Sequence, residues 1–313
     1  MNPITSKKLD QESGFEVCTL RSAEMEVLVV PALGARILSL RDLRSGREWL
    51  DRPLGNALFR NQFGDDFTSS TFAGADECIP TIAPTQWKGR NLPDHGEAWA
   101  LPWALDAEAW ERNVITTRIR LPLTPLVVTR TVQVSGEEVT LDYRVENCGS
   151  APEEFLWALH PLIAIRPGDR LELPPEVRAL SVEAAAGLPG SVSFESWAWP
   201  GPGGGVQLDR LDLGGEAYAK LFAGPLREGA AAIVNPETGD RLAFRWNARE
   251  NPWLGIWLTR GKFRGFHHVA IEPSNGGSDS LAIAAAGLDS PAPLAPGEVR
   301  TWRICLRLSV FPH

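Results

Sequence analysis

No stretch of this 313-residue chain repeats its apolar residues every 3.6 positions, and 25 prolines interrupt it too often for long helices. What recurs instead is the short β-type run closed by turn residues. Residues 15–20, 25–30 and 35–40 are such runs, and a Ser45-Gly46 turn precedes Glu48, Trp49 and Leu50. More follow at 104–110, 114–121, 126–134 and 139–145, the last two joined as a hairpin through Ser135, Gly136 and Glu137. Residues 129–134 largely alternate apolar with polar, as an antiparallel strand with one wet face does. Residues 155–165 are almost wholly apolar, which predicts a strand covered on both faces. The remaining expected strands are 191–199, 206–213, 217–222, 231–234, 241–246, 253–258, 266–272, 280–284 and 300–310. The run Pro200-Gly201-Pro202-Gly203-Gly204-Gly205 lacks the Lys-Ser/Thr and the helix of a phosphate loop, and reads as a turn. With no internal repeat and no break in composition, the pattern predicts one all-β domain over residues 1–313, made of two large packed antiparallel sheets.

Composition then narrows the function. A formal charge of −8 opposes a nucleic-acid partner, which needs a basic face. Cys18, Cys78, Cys148 and Cys305 are scattered without CxxC spacing, so they read as reduced thiols rather than a disulfide or zinc framework. The first residues lack the apolar run of a secretory signal, and no segment approaches the roughly 18 apolar residues of a membrane span. The expectation is a cytoplasmic protein, monomer or homodimer, with no membrane partner. Twelve tryptophans are mostly core material, although a Trp face also stacks well on a sugar ring.

Candidate chemistry gathers in three places. The stretch 74–103 holds Asp76, Glu77, Asp94 and Glu97 around LPDHGEAW, and its prolines and glycines put His95 in a loop or at a strand end. His95 reads either as a surface histidine or as an imidazole held by rigid backbone between acidic neighbours. His160, in FLWALHPLIAI, shares strand parity with Leu156, Ala158 and Leu162, and an imidazole there needs a partner or a pocket. Glu272 ends the apolar run of HHVAIEPSNGGSD, fixed by Pro273, where a carboxylate can act as a general base or simply sit in water. Of the adjacent His267 and His268, parity lets only His268 join Glu272. Asp76 or Glu77 can reach a ligand hydroxyl, and Arg260, Lys262 and Arg264 form a basic turn, read as solvated. A His₂Glu zinc site from His95, His160 and Glu272 would lack any compact ligand spacing.

Four segments together resemble the aldose 1-epimerase, or galactose mutarotase-like, superfamily. They are PALGARILSLRDLRSGREWL, GADECIPTIAPTQWKGRNLPDHGEAWALPW, FLWALHPLIAIRPGDRLELP, and NPWLGIWLTRG followed by HHVAIEPSNGGSDSLAIA, in the family's order and across nearly the whole chain. The resemblance implies a β-supersandwich with a sugar in an open cleft and no cofactor or metal. It also implies roles. Glu272 would take the anomeric hydroxyl proton, His160 would protonate the ring oxygen, and His95 would grip the ring-oxygen side. Asp76, Glu77, Trp257, His268 and Asn275 would contact the substrate. Two departures stand out. His160 lies in an apolar context rather than among asparagines and aromatics, and the segment TFAGADECIP lacks the arginine of the sugar-6-phosphate branch. The alternatives are a non-catalytic sugar-binding or sensing protein on the same fold, and a mutarotase for a phosphorylated or acidic sugar.

Overall fold

The computed structural model describes residues 6–52, 57–188, 196–201, 207–211, 215–287 and 291–311. Its architecture is two large antiparallel sheets. The larger has twelve strands in the order Ser6–Glu12, Phe15–Arg21, Met25–Val30, Arg36–Asp42, Ala75–Cys78, Ala158–Pro161, His267–Ser274, Trp253–Arg260, Ala217–Ala223, Ala179–Ala186 and Ser196–Ala198, with Ile163–Ala164 also on His267–Ser274. The second has eight, ordered Arg170–Glu172, Gly229–Val234, Asp240–Trp246, Val299–Val310, Glu138–Asn147, Leu126–Ser135, Ile115–Arg120 and Ala104–Leu105. Among the described residues no helix is long and apolar enough to cross a membrane.

Alternation along the strands makes the core. In Glu138–Asn147 every second residue is buried, so Val139, Leu141, Tyr143 and Val145 face the other sheet. Leu221, Ile256, Ile271 and Leu159 meet them from the larger sheet in one continuous cluster. Trp157 packs on Tyr143 at 4.8 Å and on Trp302 at 4.7 Å between ring centroids. At this seam sits Glu77, fully buried, which accepts from Arg130 Nη1 at 2.7 Å, Tyr143 Oη at 2.8 Å and Trp157 Nε1 at 2.9 Å. Burial pushes its carboxyl pKa up, against the pull of Arg130 and the other donors. A group expected to reach a sugar hydroxyl is therefore a bolt between the sheets. Its neighbour Asp76, by strand parity, faces the other way.

The apolar segment 155–165 is divided where one strand was expected. Ala158–Pro161 runs between Ala75–Cys78 and His267–Ser274, and Ile163–Ala164 pairs with an earlier part of the latter strand. Two other expected strands contain helices. Asp106 caps Ala107–Glu111 by accepting from the Ala109 amide at 3.0 Å, and Ser280 caps the alanine-rich Leu281–Ala286. Alanine is the strongest helix former, and a capping side chain satisfies an otherwise orphaned amide. Arg260 is buried, donating to the Arg210 carbonyl at 2.7 Å, so one member of the basic turn is structural. All four cysteines are free. Parts of the expected strands 191–199 and 206–213, and most of the Pro/Gly run, lie outside the described residues.

Removing the Glu77 counter-charge tests this seam. Arg130→Met is expected to cost about 3–5 kcal/mol in equilibrium urea unfolding, because it strands a buried carboxylate. Adding Glu77→Gln to it should recover part of the loss.

Candidate active site

Five adjacent strands of the larger sheet bring the site together. Opposite pairs Asp76 with His160, Glu272 with Gly255, Gly255 with Phe222, and Trp257 with Lys220 share one face, away from the inter-sheet core. Above this face lies a cleft of about 210 Å³. Its walls are Phe67, Phe72, Ile82, Trp257 and Phe263, and its polar groups include His95, His160, Lys220 and Asp279.

His95 reaches the cleft from the loop of LPDHGEAW. Its backbone is left-handed, φ 56°, as is that of Gly96, φ 78°. A Cβ on Gly96 would lie 2.1 Å from the Ile79 carbonyl oxygen, so only glycine fits this turn. The ring stacks on Phe67 at 4.0 Å and its Nδ1 lies 3.0 Å from Asp94 Oδ1. Asp94 Oδ2 accepts from the Phe67 amide at 2.8 Å, so one carboxylate fixes both rings. Burial works to raise the Asp94 pKa, but bonding to His95 and the amides outweighs it and holds the carboxyl below its ordinary range. With Nδ1 engaged, Nε2 is the nitrogen left for a ligand.

His160 stands edge-on to both Phe67 and His95, with ring centroids 5.2 and 5.1 Å away. Its Nε2 is 3.8 Å from Glu272 Oε1, and its Nδ1 has no hydrogen-bond partner. Burial first, then the charges of His95 and Lys220, depress its pKa well below the ordinary imidazole value. Glu272 is fully buried beside the lining residues. Lys220 bonds its Oε2, while Oε1 has no hydrogen-bond partner. Burial raises the Glu272 pKa and Lys220 opposes the rise.

The remaining expected contacts divide. Trp257 forms a wall, its indole N–H donating to His268 Nε2 at 3.2 Å, and His268 Nδ1 lies 2.9 Å from Asp51 Oδ2. An indole only donates, so His268 carries its proton on Nδ1 and both its nitrogens are spent on holding Trp257. Asp76 faces the cleft side but is buried against Arg36 Nε at 2.9 Å. Asn275 accepts from the Trp157 amide at 2.7 Å and donates to the Phe155 carbonyl at 2.9 Å, which makes it a bracket for the strand carrying His160. Glu77, His268 and Asn275 thus have their polar atoms occupied by protein. Lys220 and Asp279 were not singled out in the sequence. The signal for Lys220 was there, one charge inside the apolar run AYAKLFA.

A larger depression, about 780 Å³, lies on the outer face of the eight-stranded sheet. Of the charges that line it, Arg303 pairs with Asp142, and Arg144 pairs with Glu146 beside it. Among the described residues no three of His, Cys, Asp or Glu are grouped to hold a metal ion, His95, His160 and Glu272 included.

The fold is galactose mutarotase-like. The chain is similar to a galactose mutarotase-like protein from Clostridium acetobutylicum, with a TM-score of 0.72 at 13% identity over 98% of this chain and 99% of that one. A galactose mutarotase-like protein from Lactobacillus casei gives 0.64 at 16% identity, over 94% and 100%. A galactose mutarotase related enzyme from Lactobacillus acidophilus gives 0.67 at 14% identity, over 94% and 97%. At these identities the likeness is one of fold. No protein-family model and no curated protein sequence matches the chain.

The His160 ring is expected to remain neutral at neutral pH and to protonate only well below the usual imidazole range. Titration of the histidine ring nitrogens by ¹⁵N NMR, with His160→Gln for assignment, checks this. An ordinary imidazole titration would contradict it.

Proposed function

We propose that the protein is a cofactor-independent aldose 1-epimerase that interconverts the α and β anomers of a neutral free aldohexose. The observation that carries this reading is a buried carboxylate oxygen without a hydrogen-bond partner, Glu272 Oε1, 3.8 Å from His160 and with His95 next to that ring. An acceptor and two imidazole edges at one cleft are what ring opening of a hemiacetal requires.

Glu272 Oε1 takes the proton of the anomeric hydroxyl. The C1–O5 bond breaks, its electron pair moves to O5, and O5 receives a proton from a histidine N–H. The product is the open-chain aldehyde. Rotation about C1–C2 turns the other face of the carbonyl toward O5, and the steps reverse to give the other anomer with both protons returned. Held neutral, His160 offers O5 a hydrogen bond from its one N–H, while the proton itself comes from a ring in its imidazolium form, which ends as neutral imidazole; His95 presents Nε2 while Asp94 fixes its other edge. Trp257 and Phe263 offer aromatic surface to the apolar face of the ring.

Charge favours a neutral substrate. Lys220, in the lining, is already engaged by Glu272 and Asp279, and Arg36 by Asp76. Arg264, exposed at the rim, bonds the Thr68 carbonyl. A phosphorylated or acidic sugar would meet carboxylates without a free cation deep in the cleft. The complete burial of Glu272 also fits a sugar-binding protein without turnover, the second reading.

Polarimetry of freshly dissolved α-D-glucose and α-D-galactose separates them. The proposal predicts acceleration over buffer that falls about 10²-fold or more in Glu272→Gln, with sugar binding by calorimetry retained. Of His160→Ala and His95→Ala, the proton donor to O5 is the one whose loss lowers kcat more. Binding without acceleration for any aldose would select the second reading.

A further inference from the structure

Only one oxygen of Glu272 is free for chemistry. Lys220 crosses from its own strand to bond Oε2, and the same ammonium lies 3.1 Å from Asp279 Oδ1. Between the two strands stands Gly255, where a Cβ would come within 3.0 Å of Oε2 and 3.3 Å of the Glu272 Cβ. Lys220 is 5% exposed and Glu272 wholly buried, so water does not substitute for the ion pair.

We propose that Lys220 is the positioning residue of the base: its ammonium pins Glu272 through Oε2, leaving Oε1 as the single acceptor beside the cleft and keeping the carboxylate charged, while Asp279 competes for the same ammonium. The proposal rests on Glu272 as the proton acceptor of the preceding section. A carboxyl buried without a cation becomes neutral, and a neutral carboxyl cannot take the anomeric proton.

The groups around Glu272 define the balance. Lys220 comes from Ala217–Ala223, Asp279 from the loop after His267–Ser274, His160 from Ala158–Pro161 and Cys78 from Ala75–Cys78. His95 acts from the neighbouring loop, and Glu183 lies near Asp279. Beyond that, Asp76 is neutralised by Arg36. Burial and Asp279 push the Glu272 pKa up, and Lys220 pulls it down. Burial would lower the Lys220 pKa too, but its two carboxylates more than offset that, and it stays an ammonium. An ammonium has no lone pair to attack the open-chain aldehyde, so the arrangement also protects the intermediate from imine formation.

Two substitutions should move Glu272 in opposite directions. With ¹³C-labelled glutamate, and Glu272→Gln to assign the signal, the carboxyl titration is compared in wild type, Lys220→Met, Lys220→Arg and Asp279→Asn. The proposal predicts that Lys220→Met raises the Glu272 pKa by about one unit or more, that Lys220→Arg keeps it near wild type, and that Asp279→Asn lowers it. The acid limb of the kcat profile should follow, so that Lys220→Met is about tenfold slower below neutral pH and recovers at alkaline pH. A uniform loss of rate at every pH, or a Glu272 titration unmoved by either Lys220→Met or Asp279→Asn, would overturn it. If wild type accelerates no aldose, the mutarotase reading fails on that result, while the carboxyl titration still decides whether Lys220 holds Glu272 charged.

Discussion

The buried pair of Glu77 with Arg130 is the contact on which the arrangement depends. It ties the strand Ala75–Cys78 of the larger sheet to Leu126–Ser135 of the smaller, within a largely apolar core. Because side chains alternate along a strand, turning Glu77 inward turns Asp76 outward, beside His160. A register slip of one residue would exchange the two and set the shorter Asp76 among the three donors that Glu77 now satisfies. The directional bonds of Glu77 to Arg130, Tyr143 and Trp157 make such a slip costly.

The cleft face repeats this logic with less protection. Here polar groups gather at a cleft, and each is held by a partner behind it. Asp94 holds His95 by Nδ1, Asp51 holds His268 and through it Trp257, and Lys220 holds Glu272 by Oε2. In every case one polar atom is spent on positioning. For His95 and Glu272 the other is left for a ligand, while His268 passes its second contact to Trp257. Such preorganisation lowers the cost of orienting groups at the moment of reaction.

Much of this was legible in the sequence, for physical reasons that also mark where reading stopped. Period-two alternation and frequent turns gave the sheets, because burial on one face is written directly in strands such as Glu138–Asn147. Strand parity correctly grouped Leu156, Ala158 and Leu162 with His160, and they line the face outside the inter-sheet core. Parity cannot say which face is which when both are buried, so Glu77 was expected in the cleft. Nor does it reveal partners distant in sequence. Lys220 lies 52 positions from Glu272, and Asn275 meets residue 157 from 118 positions away. The short helices were missed because β-type runs outvoted their caps, Asp106 and Ser280.

The reaction proposed for this cleft is the opening and reclosing of the ring of an uncharged aldose. Proton exchange spectroscopy on an aldohexose already at anomeric equilibrium tests it without an initial excess of either anomer. Wild-type protein should produce exchange cross-peaks between the α and β anomeric protons that are absent in buffer, with far weaker ones for the corresponding 6-phosphate. Stronger exchange for the phosphate, or none for any neutral aldose, would contradict the account.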